Sequence, residues 1–304
     1  MIDPELVLDG PTRQRLAARF GDGTDAWCDA LPGLVDLLSA RWGFTVEAAL
    51  PGGNSSRTLR CRTADGRSAV LKLVPEPEMA ATEIAALRIW SSAPGVVKLL
   101  DADLEHGALL LEGLSPGTPL MDSRRQITLA ELAILVPQLH LRLARKDFPS
   151  LAERMDFLFQ LAEKRRTGSQ AARFVTAEHV RRSRRAALDL AEDGEKVLLH
   201  GDLHAGNVLD AGPERGLVVI DPRPCLGDPA SDLIDWVLCP TGPADRVEVT
   251  TLDARARMVA ADLPAVEADR LSAWCRATAV ILAIARLRYV PKDSTVDALL
   301  ALVP

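Results

Sequence analysis

Three polar residues in the second half of the chain stand where apolar runs end. Val197-Leu198-Leu199 stops at His200-Gly201-Asp202, and Asn207 follows Asp202 after four residues. A second run, Val208-Leu209, leads through a Gly/Pro-rich turn into Leu217-Val218-Val219-Ile220, which ends on Asp221. Short apolar runs separated by turn residues predict paired strands, with Asp202, Asn207 and Asp221 gathered at one end. These residue types suit phosphoryl transfer, which asks a protein for positioning, charge neutralisation and a proton acceptor rather than covalent chemistry. A carboxylate can orient a hydroxyl and take its proton. An amide oxygen and a second carboxylate can hold Mg²⁺, a hard cation that prefers oxygen ligands.

The alternation of His200, Asp202 and His204 allows a different reading, a hydrolytic metal site. A zinc site needs three or four ligands in tetrahedral array. No histidine follows His204, and Cys225, Cys239 and Cys275 lack CxxC spacing. The Asp/Asn/Asp set explains the chemistry without the histidines, which are expected to satisfy loop hydrogen bonds. In order and first spacing, that set matches the kinase pattern of a catalytic Asp, an Asn four residues further along, and a later metal-binding Asp.

Upstream elements must supply the rest of a nucleotide site. Phe44–Leu50, Thr58–Cys61 and Ser68–Val74 read as three strands. Between the first two lies Gly52-Gly53-Asn54-Ser55, a turn whose amides could approach phosphate oxygens. Only six of the 36 Lys plus Arg residues are lysine, and Lys72, the first of them, sits inside the apolar strand Ala69–Val74. A lysine in a buried strand requires a partner. The helix opened by Pro77 offers Glu83 first and Glu78 second. Val96–Asp103 and Ala108–Glu112 read as a hairpin. At Glu112-Gly113-Leu114 the composition turns to loop, which places a domain boundary at 113/114. Backbone groups of Glu112 and Leu114 would face an adenine edge there.

Further along, Pro11–Trp42 is helical in period, with Pro32 a break or kink. Ile127–Leu143 also reads as helix, kinked at Pro137. Lys164–Arg185 is basic and reads as solvated helix faces, and His106, His140 and His179 are treated as structural. Asp228 and Asp235, close behind Asp221, are candidates for contacting a cationic acceptor, although Asp228 and Asp232 could instead hold their loop and cap a helix.

The 304-residue length bounds the chain to one large or two small domains. A net charge of −6 argues against nucleic acid as the main partner. Five scattered cysteines point to reduced thiols and an intracellular setting. No apolar run is long enough to span a membrane, and the first residues lack signal-peptide character. A cytoplasmic protein is expected.

GGNSS, Lys72, Glu83, HGDLHAGN, IDP and GDPASDL together resemble the aminoglycoside phosphotransferase family. Trp27-Leu31-Pro32-Trp42, VLKL, ALRIW and VVKLLDAD narrow the resemblance to its streptomycin 6-kinase and hydroxyurea kinase branch. It implies an α+β, protein-kinase-like fold with a β-rich nucleotide-binding lobe (1–113), a helical lobe (114–304) and nucleotide between them. Asp202 becomes the catalytic base, Asn207 and Asp221 the Mg²⁺ ligands, and Lys72 the holder of ATP phosphates. The implied activity is transfer of the γ-phosphate of ATP to a hydroxyl of a small molecule, a streptomycin-type antibiotic or hydroxyurea, giving antibiotic resistance. His204, Ile220-Asp221-Pro222 and the lack of APE depart from protein kinases, so no protein substrate is expected. The rival functions are a kinase of a sugar or amino alcohol and a non-catalytic nucleotide-binding protein.

Overall fold

The computed structural model describes residues 7–21, 23–51, 55–123, 125, 127–144, 147–238 and 249–304. The chain forms two compact units. One runs to Gly117 and takes in Ala211–Val218, and the other holds Thr118–Asp210 and the residues from Val219 onward.

The first unit is built on an antiparallel sheet of order β1-β2-β3-β5-β4: β1 (Phe44–Ala49), β2 (Arg57–Thr63), β3 (Ser68–Leu73), β4 (Leu99–Asp103) and β5 (Ala108–Glu112). Helices α1 (Gly10–Phe20) and α2 (Thr24–Trp42) precede it, and α3 (Pro77–Ile89) separates β3 from β4. Helix α2 continues through Pro32. Its buried residues Cys28, Leu31, Val35 and Leu38 recur at steps of three and four, the spacing of one helical face. Leu31, Val35 and Leu38 pack with Leu59, Leu71, Leu73 and Leu110 of the sheet. Each fully buried Leu contributes roughly 2 kcal/mol. Because strand side chains alternate, placing Ala69, Leu71 and Leu73 in this core sends Lys72 to the other face.

In the second unit, β7 (Val197–Leu199) pairs antiparallel with β9 (Cys225–Gly227), and β6 (Thr118–Pro119) with β8 (Val208–Asp210). The helices are α4 (Leu129–Leu135), α5 (Leu151–Thr167), α6 (Ala177–Glu192), α7 (Ile234–Leu238), α8 (Val249–Ala260), α9 (Ala268–Leu287) and α10 (Ser294–Ala301). Capping boxes start α4, α5 and α6 at Thr128, Ser150 and Thr176. Helix α9 is buried along most of its length and packs against α5, α6, α8 and α10.

The helix expected over Ile127–Leu143 is shorter. After α4 the chain tightens into a 3₁₀ turn at Val136–Gln138, and Leu141 already bridges Leu198 of β7. Pro137 lacks the N–H that would continue the helix. No helix among the described residues is long and apolar enough to cross a membrane.

Candidate active site

In the first unit, Lys72 and Glu83 form a buried ion pair. Lys72 Nζ donates to both carboxylate oxygens of Glu83 at 2.6 Å, and the residues are 3% and 1% exposed. Glu83 lies on the inner face of α3 with Ala80, Ile84 and Leu87, whereas Glu78 sits in the exposed first turn. This settles the choice between the two glutamates. Ser55 is buried, while Gly52, Gly53 and Asn54 lie outside the described residues.

The carboxylate of Glu112 is committed locally. It accepts from the Lys98 amide at 2.8 Å and from both terminal nitrogens of Arg215, at 2.8 and 2.6 Å. The Gly113 amide donates to Ser68 O at 2.9 Å. A Cβ at Gly113 would come within 2.1 Å of Ser68 Oγ, so glycine is required by the close approach of the two segments. Leu114 follows, half-buried.

The second unit carries Asp202, Asn207 and Asp221 on two loops that are stitched together. His200 O accepts from the Arg223 amide at 2.8 Å, and Asn207 O from the Ile220 amide at 2.9 Å. Asn207 is buried. Its Nδ2 donates to Asp202 O at 2.9 Å and Asp202 Oδ2 at 3.3 Å, which leaves Oδ1 uncommitted among the described residues. Asp221 has φ +54°, a left-handed conformation uncommon outside glycine that Asp and Asn adopt more readily than other side chains. Arg223 NH2 lies 3.2 Å from Asp221 Oδ1. Asp202, with a side chain 40% exposed, receives Arg154 NH2 on Oδ1 at 3.3 Å.

Beneath these loops lies a buried polar network. Asp232 accepts the amides of His200 at 2.8 Å and Gly201 at 2.7 Å, and His140 Nε2 lies 3.1 Å from its Oδ2. Burial alone would raise the Asp232 carboxyl, but the His140 contact, the nearby histidine charges and the Gly201 amide hold it below its usual value. His200 is fully buried and its pKa is driven down by desolvation, against the pull of Asp232 and Asp202. Its Nε2 lies 3.0 Å from Ile220 O, and its Nδ1 accepts the Asp202 amide at 3.3 Å. His200 therefore ties the residue before Asp221 to Asp202 and serves the loop. His140, which showed no partner in the sequence, belongs to this network. Its signal was faint, a lone polar residue three positions after Pro137. Arg154 was missed because nothing distinguishes it among the arginines.

The two expected acceptor carboxylates part company. Asp228 is buried and fully engaged: Oδ1 accepts the Ala230 amide at 2.9 Å, and Oδ2 takes Arg270 Nε and Trp274 Nε1, the latter at 2.7 Å. Its placement for ligand contact gives way to loop holding, because both oxygens are already hydrogen-bonded. Asp235 is half-buried near Asp202 and His204, and burial pushes its carboxyl up to about 6, with Asp202 adding to the rise and His204 opposing it. No cluster of three or more His, Cys, Asp or Glu side chains suited to a metal ion occurs among the described residues. One carboxylate and one amide oxygen on adjoining loops instead suit a cation that keeps several waters.

Comparison with known proteins identifies the family and the fold. Residues 41–289 match the family model described as aminoglycoside/hydroxyurea antibiotic resistance kinase. The streptomycin 6-kinase of Streptomyces glaucescens is 34% identical over 237 residues, 75% of this chain and 73% of that one. The hydroxyurea phosphotransferase of Kitasatospora aureofaciens is 36% identical over 212 residues, 68% of this chain and 60% of that one. The fold is shared with the choline kinase LicA of Streptococcus pneumoniae at a TM-score of 0.58 and 16% identity, over 90% of this chain and 96% of that one. The expected α+β, kinase-like architecture is thus the observed one. The chain belongs to the aminoglycoside/hydroxyurea antibiotic resistance kinase family and is a small-molecule phosphotransferase.

Proposed function

We propose that the protein transfers the γ-phosphoryl group of ATP to a hydroxyl of a streptomycin-type aminocyclitol, in the cytoplasm and with Mg²⁺. The observation that carries this reading is the junction of the 200–207 and 220–223 loops, which holds Asp202, Asn207 and Asp221 together over the Asp232 anchor. Asp202 orients the acceptor hydroxyl and takes its proton as the oxygen bonds to phosphorus and ADP leaves. Asn207 Oδ1 and the Asp221 carboxylate are hard donors that fit Mg²⁺, which when bound neutralises charge on the phosphate oxygens. Lys72, held by Glu83, binds phosphate oxygens as a point charge. Backbone amides within residues 52–55 lend them hydrogen bonds, and backbone groups at Glu112 and Leu114 meet the adenine. Asp235 offers a negative charge to a cationic acceptor.

One observation favours a second acceptor, hydroxyurea. Asp202 and Asp221 each face an arginine, and Asp228 and Asp232 are committed inside the fold. That leaves Asp235 as the carboxylate available to a cation, where a polycationic drug would be matched better by several.

The test is ADP release with streptomycin, a second cationic aminocyclitol, hydroxyurea, choline and a plain sugar as acceptors, at two ionic strengths. Turnover of streptomycin with a KM that rises with salt supports the first reading. Activity on hydroxyurea alone, insensitive to salt, transfers the assignment to the second. Activity confined to choline or the sugar overturns both.

A further inference from the structure

We infer that Arg154 is a positioning residue for the phosphoryl transfer, an arginine of α5 that fixes the carboxylate of Asp202. The inference rests on Asp202 being the acceptor of the hydroxyl proton.

Arg154 lies in the first turn of α5, whose start is fixed by the Ser150–Glu153 capping box. Leu151, Met155 and Phe159 bury the same helix, and the Arg154 side chain is only 14% exposed. The guanidinium reaches Asp202 by passing over Gly201. A Cβ at residue 201 would stand 3.3 Å from Arg154 Nε and 2.0 Å from Arg223 O, so only glycine leaves room for both. Arg154 Nε is buried without a hydrogen-bond partner among the described residues. A buried guanidinium with an unmet donor is costly, and stability alone gives no reason to keep it there. Among the described residues its side-chain hydrogen bond is from NH2 to Asp202 Oδ1.

The other oxygen of Asp202 meets Asn207 Nδ2 at 3.3 Å, while His204 Nε2, at 3.9 Å, is beyond hydrogen-bonding distance. Asp202 is therefore clamped between Arg154 on Oδ1 and Asn207 on Oδ2. Without Arg154, half of the clamp is lost and the half-exposed carboxylate can rotate away from the hydroxyl. An arginine suits this task because its charge is permanent and its planar fork has a defined direction.

The test compares Arg154→Met, Arg154→Lys and Arg154→Ala with the unmodified enzyme, on whichever of streptomycin and hydroxyurea turns over faster. Misplacing a catalytic group by about 1 Å costs up to ~10²-fold in rate. Arg154→Met should lower kcat by ~10–100-fold while the KM for ATP changes less than twofold. Arg154→Lys should lose less, and added methylguanidine should restore part of the kcat of Arg154→Ala. In an Asp202→Asn background, Arg154→Met should lower kcat no further. An unchanged kcat in Arg154→Met overturns the inference. So does an equal loss in the Asp202→Asn background without guanidinium rescue, which marks a purely structural arginine. If Arg154→Met fails to fold, Arg154→Lys and the rescue of Arg154→Ala decide the matter by the same outcomes. Near-normal turnover in Asp202→Asn alone would instead remove the base assignment, and the inference with it.

Discussion

Replacing Lys72 by methionine separates what the Lys72–Glu83 pair does for stability from what it does for function. Nζ sits 2.6 Å from both carboxylate oxygens, and both side chains are almost wholly buried. Lys72→Met keeps the apolar stem but leaves the Glu83 carboxylate buried without its cation. Breaking one side of such a pair costs about 3–5 kcal/mol, because the desolvated charge that remains is uncompensated. Replacing both partners by apolar residues of similar volume is near neutral. Lys72→Met should therefore lose most of this amount in urea unfolding at constant m-value, and Lys72→Met/Glu83→Leu should recover most of it. Phosphotransfer should be lost in both. A single variant that costs less than about 1 kcal/mol would refute the burial argument. A double variant as active as the unmodified protein would remove Lys72 from nucleotide binding.

Three further outcomes follow from the site. Asp221→Ala should weaken Mg²⁺-dependent ATP binding in calorimetry far more than adenosine binding, whereas equal loss of both would indicate a disrupted fold. The Asp235 carboxyl is raised to about 6 from 3.8, so the folded state holds its proton more tightly and this contribution to stability fades as pH rises from about 4 through 6. Asp235→Asn should then gain stability on the unmodified protein by at most about 3 kcal/mol at pH 7 and little at pH 4, and a gap that does not change with pH would contradict the burial of this group. Burial pushes the Cys61 and Cys225 thiols up to about 12, so both should resist a disulfide reagent at pH 8 until the protein is unfolded, and rapid native-state labelling would contradict their placement.

Much of the first unit was legible because its signals are local. The apolar run Ala69–Val74 gave the buried strand, and the rule that a buried lysine needs a partner pointed to the following helix, where Glu83 ranked ahead of Glu78 and only the folded contact decides between them. The Asp202, Asn207 and Asp221 spacing likewise pointed to the joined loops on which the three residues lie. What stayed hidden depends on contacts between distant segments. Asp228 and Asp232 look alike in GDPASD, yet one turns to Arg270 and Trp274 and the other to His140 and the 200–201 amides. Local spacing cannot tell these fates apart. The shortened helix at Pro137 was half visible: proline signalled a change, but the bridge from Leu141 to Leu198 is a long-range event. Arg154 lies 48 residues from Asp202, and arginines are too numerous here for composition to single it out.

The most direct test of the central claim is the turnover of Asp202→Asn alongside its affinity for ATP. The substitution keeps the size of the side chain but removes the proton acceptor and turns one of the two oxygens that face Arg154 and Asn207 into an amide donor. Loss of a general base lowers turnover by ~10²–10⁴-fold, and ATP binding should stay within about twofold of the unmodified protein. Turnover near normal in this variant, with ATP binding intact, would contradict the assignment of the 200–207 loop as the catalytic centre.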